Sequence, residues 1–326
     1  MKDDKPPRSG VGSTLSSLRI APTAAYLLAL TALALGGCGL AAGHSSTAVQ
    51  LLVTDNFGER VLQRTGGLEV GARDTVMSLL MRNDSVVTRP GGASVASIDG
   101  ISSGLEKGEP VDWYYYVNGI RAHENAAATT VHPGDHIWWD RNSSRAGVAA
   151  AVVGSFPEPF LSGLGGKRWP VRVECAQATG PACRKVVGRL RSAGVPAAVA
   201  ALGAGIGAET LTVIVAPWAR ISGYPAAVSV AGGPRVSGVY AHFSADGRTL
   251  TLLDPAGRPA RTLVADAGLI AATRHDTDAP VWVVTGTDEA GVELAAGAFD
   301  EATLAHRFAL AVSATGAQPL PDASGG

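Results

Sequence analysis

Two stretches in the first half of the chain carry its clearest strand pattern. Val111-Asp-Trp-Tyr-Tyr-Tyr-Val-Asn-Gly119 sets four aromatic residues in a row, and bulky or branched side chains suit a pleated, half-buried strand. Asn118-Gly119 favours a tight hairpin turn because both residues tolerate positive φ. Pro133-Gly134-Asp135 then predicts a turn into a second aromatic strand at residues 137–139.

The alternation of side chains along the first strand predicts two faces. One face carries Trp113, Tyr115 and Val117, and the other carries Tyr114, Tyr116 and Asn118. Since one face can fill a core, the second is expected to keep rings available at the surface.

The paired motifs at residues 113–119 and 133–139 resemble the transcobalamin-like C-terminal domain found in many bacterial exported proteins. The strand at 49–53, Phe57-Gly58 and the segment 97–100 also fit that family, so the resemblance covers roughly residues 47–141. It implies a small β-rich module of β-grasp character. In related vertebrate cobalamin carriers, such a domain helps to cover a bound corrinoid.

Helical periodicity is clearest at residues 74–82, where Val76, Leu79 and Leu80 form an apolar stripe and Asp74 is the expected N-terminal cap. This helix is expected to pack across the sheet. Downstream of residue 168, strand patterns interleave with helical ones, which indicates a second α/β domain. The predicted fold class is therefore α+β.

The domain organisation follows from these patterns. Residues 1–38 are interpreted as a lipoprotein signal and 39–47 as a tether. The transcobalamin-like β-grasp domain occupies 48–142. A linker rich in Pro and Gly is expected at 143–167, the α/β domain at 168–316 and a disordered tail at 317–326.

The N-terminal segment predicts export. An apolar run at residues 24–35 follows a basic stretch and is too short to cross a bilayer comfortably, which favours a cleaved signal peptide. Leu35-Gly36-Gly37-Cys38 resembles a bacterial lipobox, and the alternative is an ordinary signal peptide with an incidental cysteine. A lipidated Cys38 would anchor the protein to the cell membrane on its extracytoplasmic face.

Cys175 and Cys183 are the other two cysteines. Cys175 ends a predicted strand and Cys183 opens a predicted helix, which brings the two residues close together. In an exported protein such a pair favours a disulfide, and two buried thiols are the alternative.

Composition and motifs narrow the function. A net charge of -1 gives no electrostatic reason to expect a nucleic-acid partner. The chain has no nucleophile elbow, phosphate-binding loop or zinc-protease motif, so no enzyme activity and no cofactor are predicted. His132 and His136 have the spacing of helical metal ligands, but Pro133-Gly134 makes a helix implausible and a solvated turn is the better interpretation.

The residues expected to contact a ligand or partner are Tyr114, Tyr116 and Trp138, with Asn118 beside them. The alternative for the rings is core packing, and for Asn118 it is turn formation. The resemblance implies a corrinoid or similar bulky ligand, captured for an uptake transporter in the same membrane. A non-catalytic envelope module that binds a protein or a glycan is the second hypothesis, and a hydrolase acting on envelope polymers is the third.

Overall fold

The computed structural model describes residues 47–205, 207, 209–276 and 278–323. The predicted signal, lipidated Cys38 and nearly all of the tether lie outside the described residues. Within the described part of the chain, no helix is long and apolar enough to span a membrane.

The first module is built around a six-stranded sheet with the order β2-β1-β9-β7-β6 and β8 paired to β7. Its elements are β1 (Val49–Asp55), β2 (Arg60–Leu68), α1 (Val76–Asn83), β3 (Val86–Thr88), β4 (Val95–Ile98), β5 (Ile101–Ser102), β6 (Gly104–Glu106), β7 (Glu109–Val117), β8 (Ile120–Arg121) and β9 (His136–Ser143). Strands β1 and β9 are parallel at the centre, and the other pairs are antiparallel. Strands β3, β4 and β5 form a separate small sheet.

Helix α1 covers one face of this sheet. Val76, Leu79 and Leu80 are buried in a core with residues from β1, β7 and β9, as the apolar stripe predicted. The predicted cap is wrong by one residue: the Thr75 hydroxyl accepts from the Ser78 amide, while Asp74 pairs with Arg82.

The second module contains a seven-stranded sheet with the order β11-β10-β12-β17-β16-β18-β19. Its elements are β10 (Val171–Cys175), α2 (Pro181–Ser192), β11 (Ala197–Ala201), β12 (Leu211–Pro217), α3 (Trp218–Ile221), α4 (Pro225–Ala231), α5 (Pro234–Ser237), β13 (Ala241–Phe243), β14 (Leu250–Leu253), β15 (Pro259–Leu263), β16 (Gly268–Thr273), β17 (Val281–Gly286), α6 (Glu289–Gly297), α7 (Glu301–Leu304), β18 (Ala309–Ser313) and β19 (Gly316–Leu320). The class is α+β, as predicted.

The two faces of the second sheet bury different partners. Helices α2 and α6 pack on one face around Trp282. The other face packs against α3, α4 and the small sheet of β13, β14 and β15, and this core also contains residues of the first module. The disulfide between Cys175 and Cys183 is formed, with Cα atoms 5.9 Å apart, and ties β10 to α2.

A core shared by the two modules lies on the second face of the first sheet. Trp138 and Tyr116 contact the ring of Phe308, the residue just before β18, with ring centroids 5.3 and 5.7 Å away. Phe57 meets the ring of Tyr240 at 5.1 Å. The modules therefore share one continuous apolar core (hereafter the shared core).

Residues 143–167 are not a free linker, which corrects the prediction. Val152, Val153 and Phe160 are buried, and the amide of Val152 donates to the Gly119 carbonyl at 2.8 Å. The glycines and prolines that suggested a flexible connector form turns between apolar residues, and these residues pack against both modules.

The predicted disordered tail is also wrong for its described part. Residues 316–320 form β19, which pairs antiparallel with β18. Leu320 is buried in the shared core because it lies on the inner side of this last strand. Residues 324–326 lie outside the described part of the chain.

Candidate functional site

The predicted alternation of the aromatic strand is confirmed. Trp113 and Val117 face α1 and its core, with Tyr115 packed against them. Tyr116 faces the shared core on the opposite side, with Tyr114 at its edge. Side chains on one strand thus divide between two covered surfaces.

The expectation that the second face exposes rings is wrong. Tyr116 and Trp138 have no accessible surface, whereas Tyr114 is half-buried with the Arg121 guanidinium 5.5 Å from its ring centroid. Apolar residues of the second module cover the rings, so a ligand cannot reach them without separating the modules. The alternative of core packing applies to Tyr116 and Trp138.

Asn118 shapes a turn. Its backbone has a φ of 54°, and its side-chain amide donates to Asp135 and to the Gly163 carbonyl, both at 2.8 Å. Its oxygen accepts from the His136 amide at 2.8 Å. With every polar group of its side chain engaged and none of its surface exposed, Asn118 holds the hairpin to the segment at 163.

Trp138 also belongs to a buried polar network. Its indole donates to the Thr54 hydroxyl at 2.7 Å, and that hydroxyl donates to Asp140 at 2.5 Å. Asp140 also accepts from the amides of Phe57 and Gly58. Burial raises the pKa of Asp140, and these hydrogen bonds oppose that shift. The network fixes the turn that carries Phe57 into the shared core.

A polar cavity of about 180 Å³ lies where the first module meets the segments 154–161 and 301–306. We call it the junction pocket. Its polar lining comprises Gln50, Arg64, His136, Ser155, Glu158, Glu301 and His306, and its apolar lining includes Leu52, Phe156 and Leu161.

The sheet register and the buried segment 143–167 assemble this pocket. His136 begins β9 directly beside Gln50 of β1, and Arg64 of β2 lies opposite Leu52. On the other side, the Glu158 amide donates to the Ser155 carbonyl at 2.8 Å, which closes a tight turn. Residues far apart in sequence thereby face one cavity.

Two polar atoms in the pocket wall have no hydrogen-bond partner among the residues that the structure describes. They are the hydroxyl of Ser155, which is 3% exposed, and the buried Nδ1 of His136. An unsatisfied buried polar group costs about 1–3 kcal/mol, so a ligand that bonds to both atoms would recover that free energy.

Glu158, also in the pocket lining, is buried at 6% exposure. Its two oxygens accept from the hydroxyl and the amide of Ser162, at 2.7 and 2.8 Å. Burial raises the pKa of Glu158 to about 7, the nearby charge of Asp135 adds to the shift, and Ser162 and Arg168 oppose it. Within the described residues no ion pair holds this carboxylate.

Arg64 and His306 lie together in the lining of the pocket. Nη2 of the exposed Arg64 is 2.8 Å from both ring nitrogens of His306. Burial, followed by the charge of Arg64, lowers the pKa of His306 and of His136 to about 4. Both imidazoles are therefore neutral at pH 7, and Arg64 supplies the positive charge.

The described residues contain no group of three or more His, Cys, Asp and Glu suited to a metal ion. His136 and His306 line the junction pocket, whereas Nδ1 of His132 lies 3.7 Å from a carboxylate oxygen of Asp135. The pocket offers hydrogen bonds and charge.

Sequence reasoning missed most of this site. Ser155 and Glu158 fall in the segment predicted as a linker, and Arg64 and His306 belong to no motif. His136 was considered only as a metal ligand. The apolar residues Val152, Val153 and Phe160 were the available signal, because a free linker does not need them.

Comparison with known proteins places one family model on this chain. Residues 73–143, from just before α1 to the end of β9, match the family described as Domain of unknown function (DUF4430). No match is found among curated proteins. A crystal structure from Ruminococcus gnavus ATCC 29149, described as a "putative metal binding protein", is similar over 29% of this chain and 96% of its own, with 12% identity and a TM-score of 0.24.

Proposed function

We propose that this protein is a lipid-anchored, extracytoplasmic binding protein and that the junction pocket holds a small polar ligand. One observation carries the proposal: the buried hydroxyl of Ser155 lines an open cavity and has no hydrogen-bond partner in the described part of the chain. Buried polar groups are nearly always satisfied in folded proteins. A ligand that fills the cavity would satisfy this one.

Binding is favoured over catalysis by the contacts around Ser155. A serine nucleophile needs a base within hydrogen-bonding reach, and neither the Ser155 hydroxyl nor Nδ1 of His136 has a partner among the described residues. Glu158 is held by Ser162.

The first module supports the β-grasp interpretation. Strands β1 and β9, the first and last of the module, are parallel neighbours at the centre of the sheet, and α1 crosses one face. The single helix across a sheet is consistent with the β-grasp character that the resemblance to transcobalamin-like domains implies. A β-grasp fold does not identify a ligand, so the ligand is inferred from the lining of the junction pocket.

A small ligand fits this geometry better than a corrinoid. Pockets for drug-sized ligands span about 300–1,000 Å³, whereas the junction pocket has about 180 Å³. The rings expected to stack on a corrinoid, Tyr116 and Trp138, lie in the shared core. We therefore propose capture of a smaller molecule, handed to an uptake transporter in the same membrane.

The pocket can be tested without knowing its ligand. The full chain in detergent is incubated with a small-molecule extract of the producing cells and repurified, and its retained molecules are identified by mass spectrometry. Ala305→Trp places a large ring at the half-buried pocket wall. Ala245→Trp, in the exposed turn between β13 and β14, is the matched control.

We expect one compound class to be retained by the wild type and by Ala245→Trp and lost from Ala305→Trp. Equal retention by all three proteins would contradict a site in the junction pocket. Retention of nothing by the wild type would contradict small-molecule binding.

The membrane anchor is tested separately. Cys38→Ser removes the only residue of the lipobox that can be acylated. We expect the wild type in the membrane fraction and the variant in the aqueous fraction. Membrane retention of the variant would contradict the lipid anchor and leave the binding proposal intact.

A second candidate, an envelope module that binds a glycan, is favoured by a groove of about 290 Å³ beside β7. Trp113, Tyr115 and Trp139 line it, and no described residue accepts a hydrogen bond from the Trp139 indole N–H. Aromatic faces with a polar rim suit sugars. Sedimentation of the wild type with purified cell-wall glycan, reduced by Trp113→Ala, would support this candidate, and no sedimentation would remove it.

A further inference from the structure

Among the described residues, no cation forms an ion pair with Glu158 in the junction pocket, and Arg168 acts on it only through its charge. Glu158 is 6% exposed and accepts only from Ser162 within the described residues. A carboxylate held out of water is stable in its charged form only when a cation or several donors face it. The cavity in front of Glu158 leaves room for a cationic group.

The same pocket also carries positive charge. The Arg64 guanidinium is exposed and lies against the neutral ring of His306 at 2.8 Å. Guanidinium groups bind carboxylates through two parallel hydrogen bonds. The lining therefore offers one exposed cation, Arg64, and two carboxylates, the buried Glu158 and the exposed Glu301.

The lining also contains neutral polar groups. Ser155 can donate or accept, and Nδ1 of the neutral His136 can do either, depending on the tautomer. Leu52 and Leu161 add apolar surface to the same cavity. A ligand with opposite charges at two ends and a small apolar part would match each element.

We propose that the ligand is a small α-amino acid, with its ammonium group on Glu158 and its carboxylate on Arg64. This inference rests on the proposed binding function and names its ligand class. The cavity of about 180 Å³ favours a short side chain. Asp135 strengthens the negative potential at Glu158, and Arg168 weakens it.

The binding experiment compares each proteinogenic L-amino acid with its analogues that lack the ammonium or the carboxylate group. The full chain in detergent is titrated by calorimetry at pH 8. We expect at least one amino acid to bind. Each analogue should bind at least about tenfold more weakly, because each loses one charge-assisted contact worth about 1.4 kcal/mol or more.

Two variants locate the ammonium site. Glu158→Gln keeps the shape and removes the negative charge; its oxygen can accept from the Ser162 amide while its NH2 group donates to the Ser162 hydroxyl. It should weaken amino-acid binding about tenfold or more. Glu293→Gln, on the exposed face of α6, is the matched control and should bind as the wild type does.

The outcomes separate the two proposals. Binding of deaminated acids as tight as that of amino acids, or unchanged binding by Glu158→Gln, would overturn the amino-acid inference. If no amino acid binds while the cell extract yields another pocket-dependent compound, the inference fails and the binding function stands. If neither experiment gives binding, both fail.

Discussion

The two faces of the first sheet carry the same kind of side chain and meet different partners. Trp139 packs against α1 within the first module, whereas Trp138, its neighbour in β9, packs against Phe308 of the second module. Both rings are at most 2% exposed. The comparison teaches that alternation predicts which residues share a face, while the rest of the chain decides what covers it.

The largest expected effect comes from removing one ring on each face. Trp138→Ala and Trp139→Ala should each destabilise the fold by about 3–5 kcal/mol, because each leaves a large cavity in a packed core. Hydrogen exchange should distinguish them. Trp138→Ala should accelerate exchange in β18, which carries the neighbouring residues of Phe308, and Trp139→Ala should accelerate it first in α1.

Val87→Ala is the matched control for these variants, because Val87 is 58% exposed and its truncation should cost less than about 0.5 kcal/mol. Acceleration of α1 by both tryptophan variants, with β18 unaffected, would contradict a core shared between the modules.

Glu158 in the junction pocket is expected to make the stability of the fold depend on pH. Its folded pKa of about 7 lies above the unfolded value of 4.5, so the folded state holds the extra proton and the stability contributed by Glu158 is lost as pH rises from 4.5 to 7. Glu158→Gln should therefore gain stability over the wild type by about 1.4 kcal/mol per pH unit across that window, reaching about 3 kcal/mol above it.

Urea denaturation of both proteins at a series of pH values measures this difference. The lowered pKa values of His136 and His306 make stability rise with pH between 4 and 6.5 in both proteins, so they cancel from the difference. A difference that does not change with pH would show that Glu158 is not held in its protonated form by burial.

The disulfide lies on the far side of the second sheet from the shared core. Replacing Cys175 and Cys183 together by serine should cost about 2–3 kcal/mol, through the loss of a short closed loop in the unfolded chain. Hydrogen exchange should quicken in β10 and α2. Exchange in α1 should stay at the wild-type rate, and its acceleration would contradict the separation of the two cores.

Tyr114 should give the smallest effect, since it lies at the edge of the shared core. Tyr114→Leu keeps apolar volume but removes the cation–π contact with Arg121, so the loss of stability should be about 0.5–1 kcal/mol. The paired variant Arg121→Gln and the double variant complete a thermal-denaturation cycle. A coupling energy near zero would show that the contact between Tyr114 and Arg121 does not stabilise the fold.

The local pattern predicted the elements of the first module well. Strands β7 and β9, helix α1 and the division of Trp113 and Tyr116 between opposite faces all follow from alternation and helical periodicity. These are short-range properties, which a single sequence carries. The Cys175–Cys183 pairing was predicted in the same way, from a strand end close to a helix start.

Long-range packing could not be predicted. Phe308 contacts Trp138 from 170 positions further along the chain. The local sequence around either residue gives no indication of the other. Glycines and prolines in residues 143–167 suggested a linker because turn residues occur in linkers and in buried turns alike. The junction pocket is formed by long-range packing and by the buried turns of residues 143–167. Its residues were therefore not predicted from the sequence, which instead suggested exposed rings.

The burial of the second aromatic face is the central claim, and hydroxyl-radical footprinting of the full chain tests it most directly. Oxidation is followed by mass spectrometry at Tyr114, Tyr116 and Trp138 under native conditions and again in urea. The account predicts that Tyr114 is oxidised in the native protein, whereas Tyr116 and Trp138 are oxidised only after unfolding. Oxidation of Tyr116 and Trp138 at the native rate of Tyr114 would contradict it and return the rings to the surface as ligand contacts.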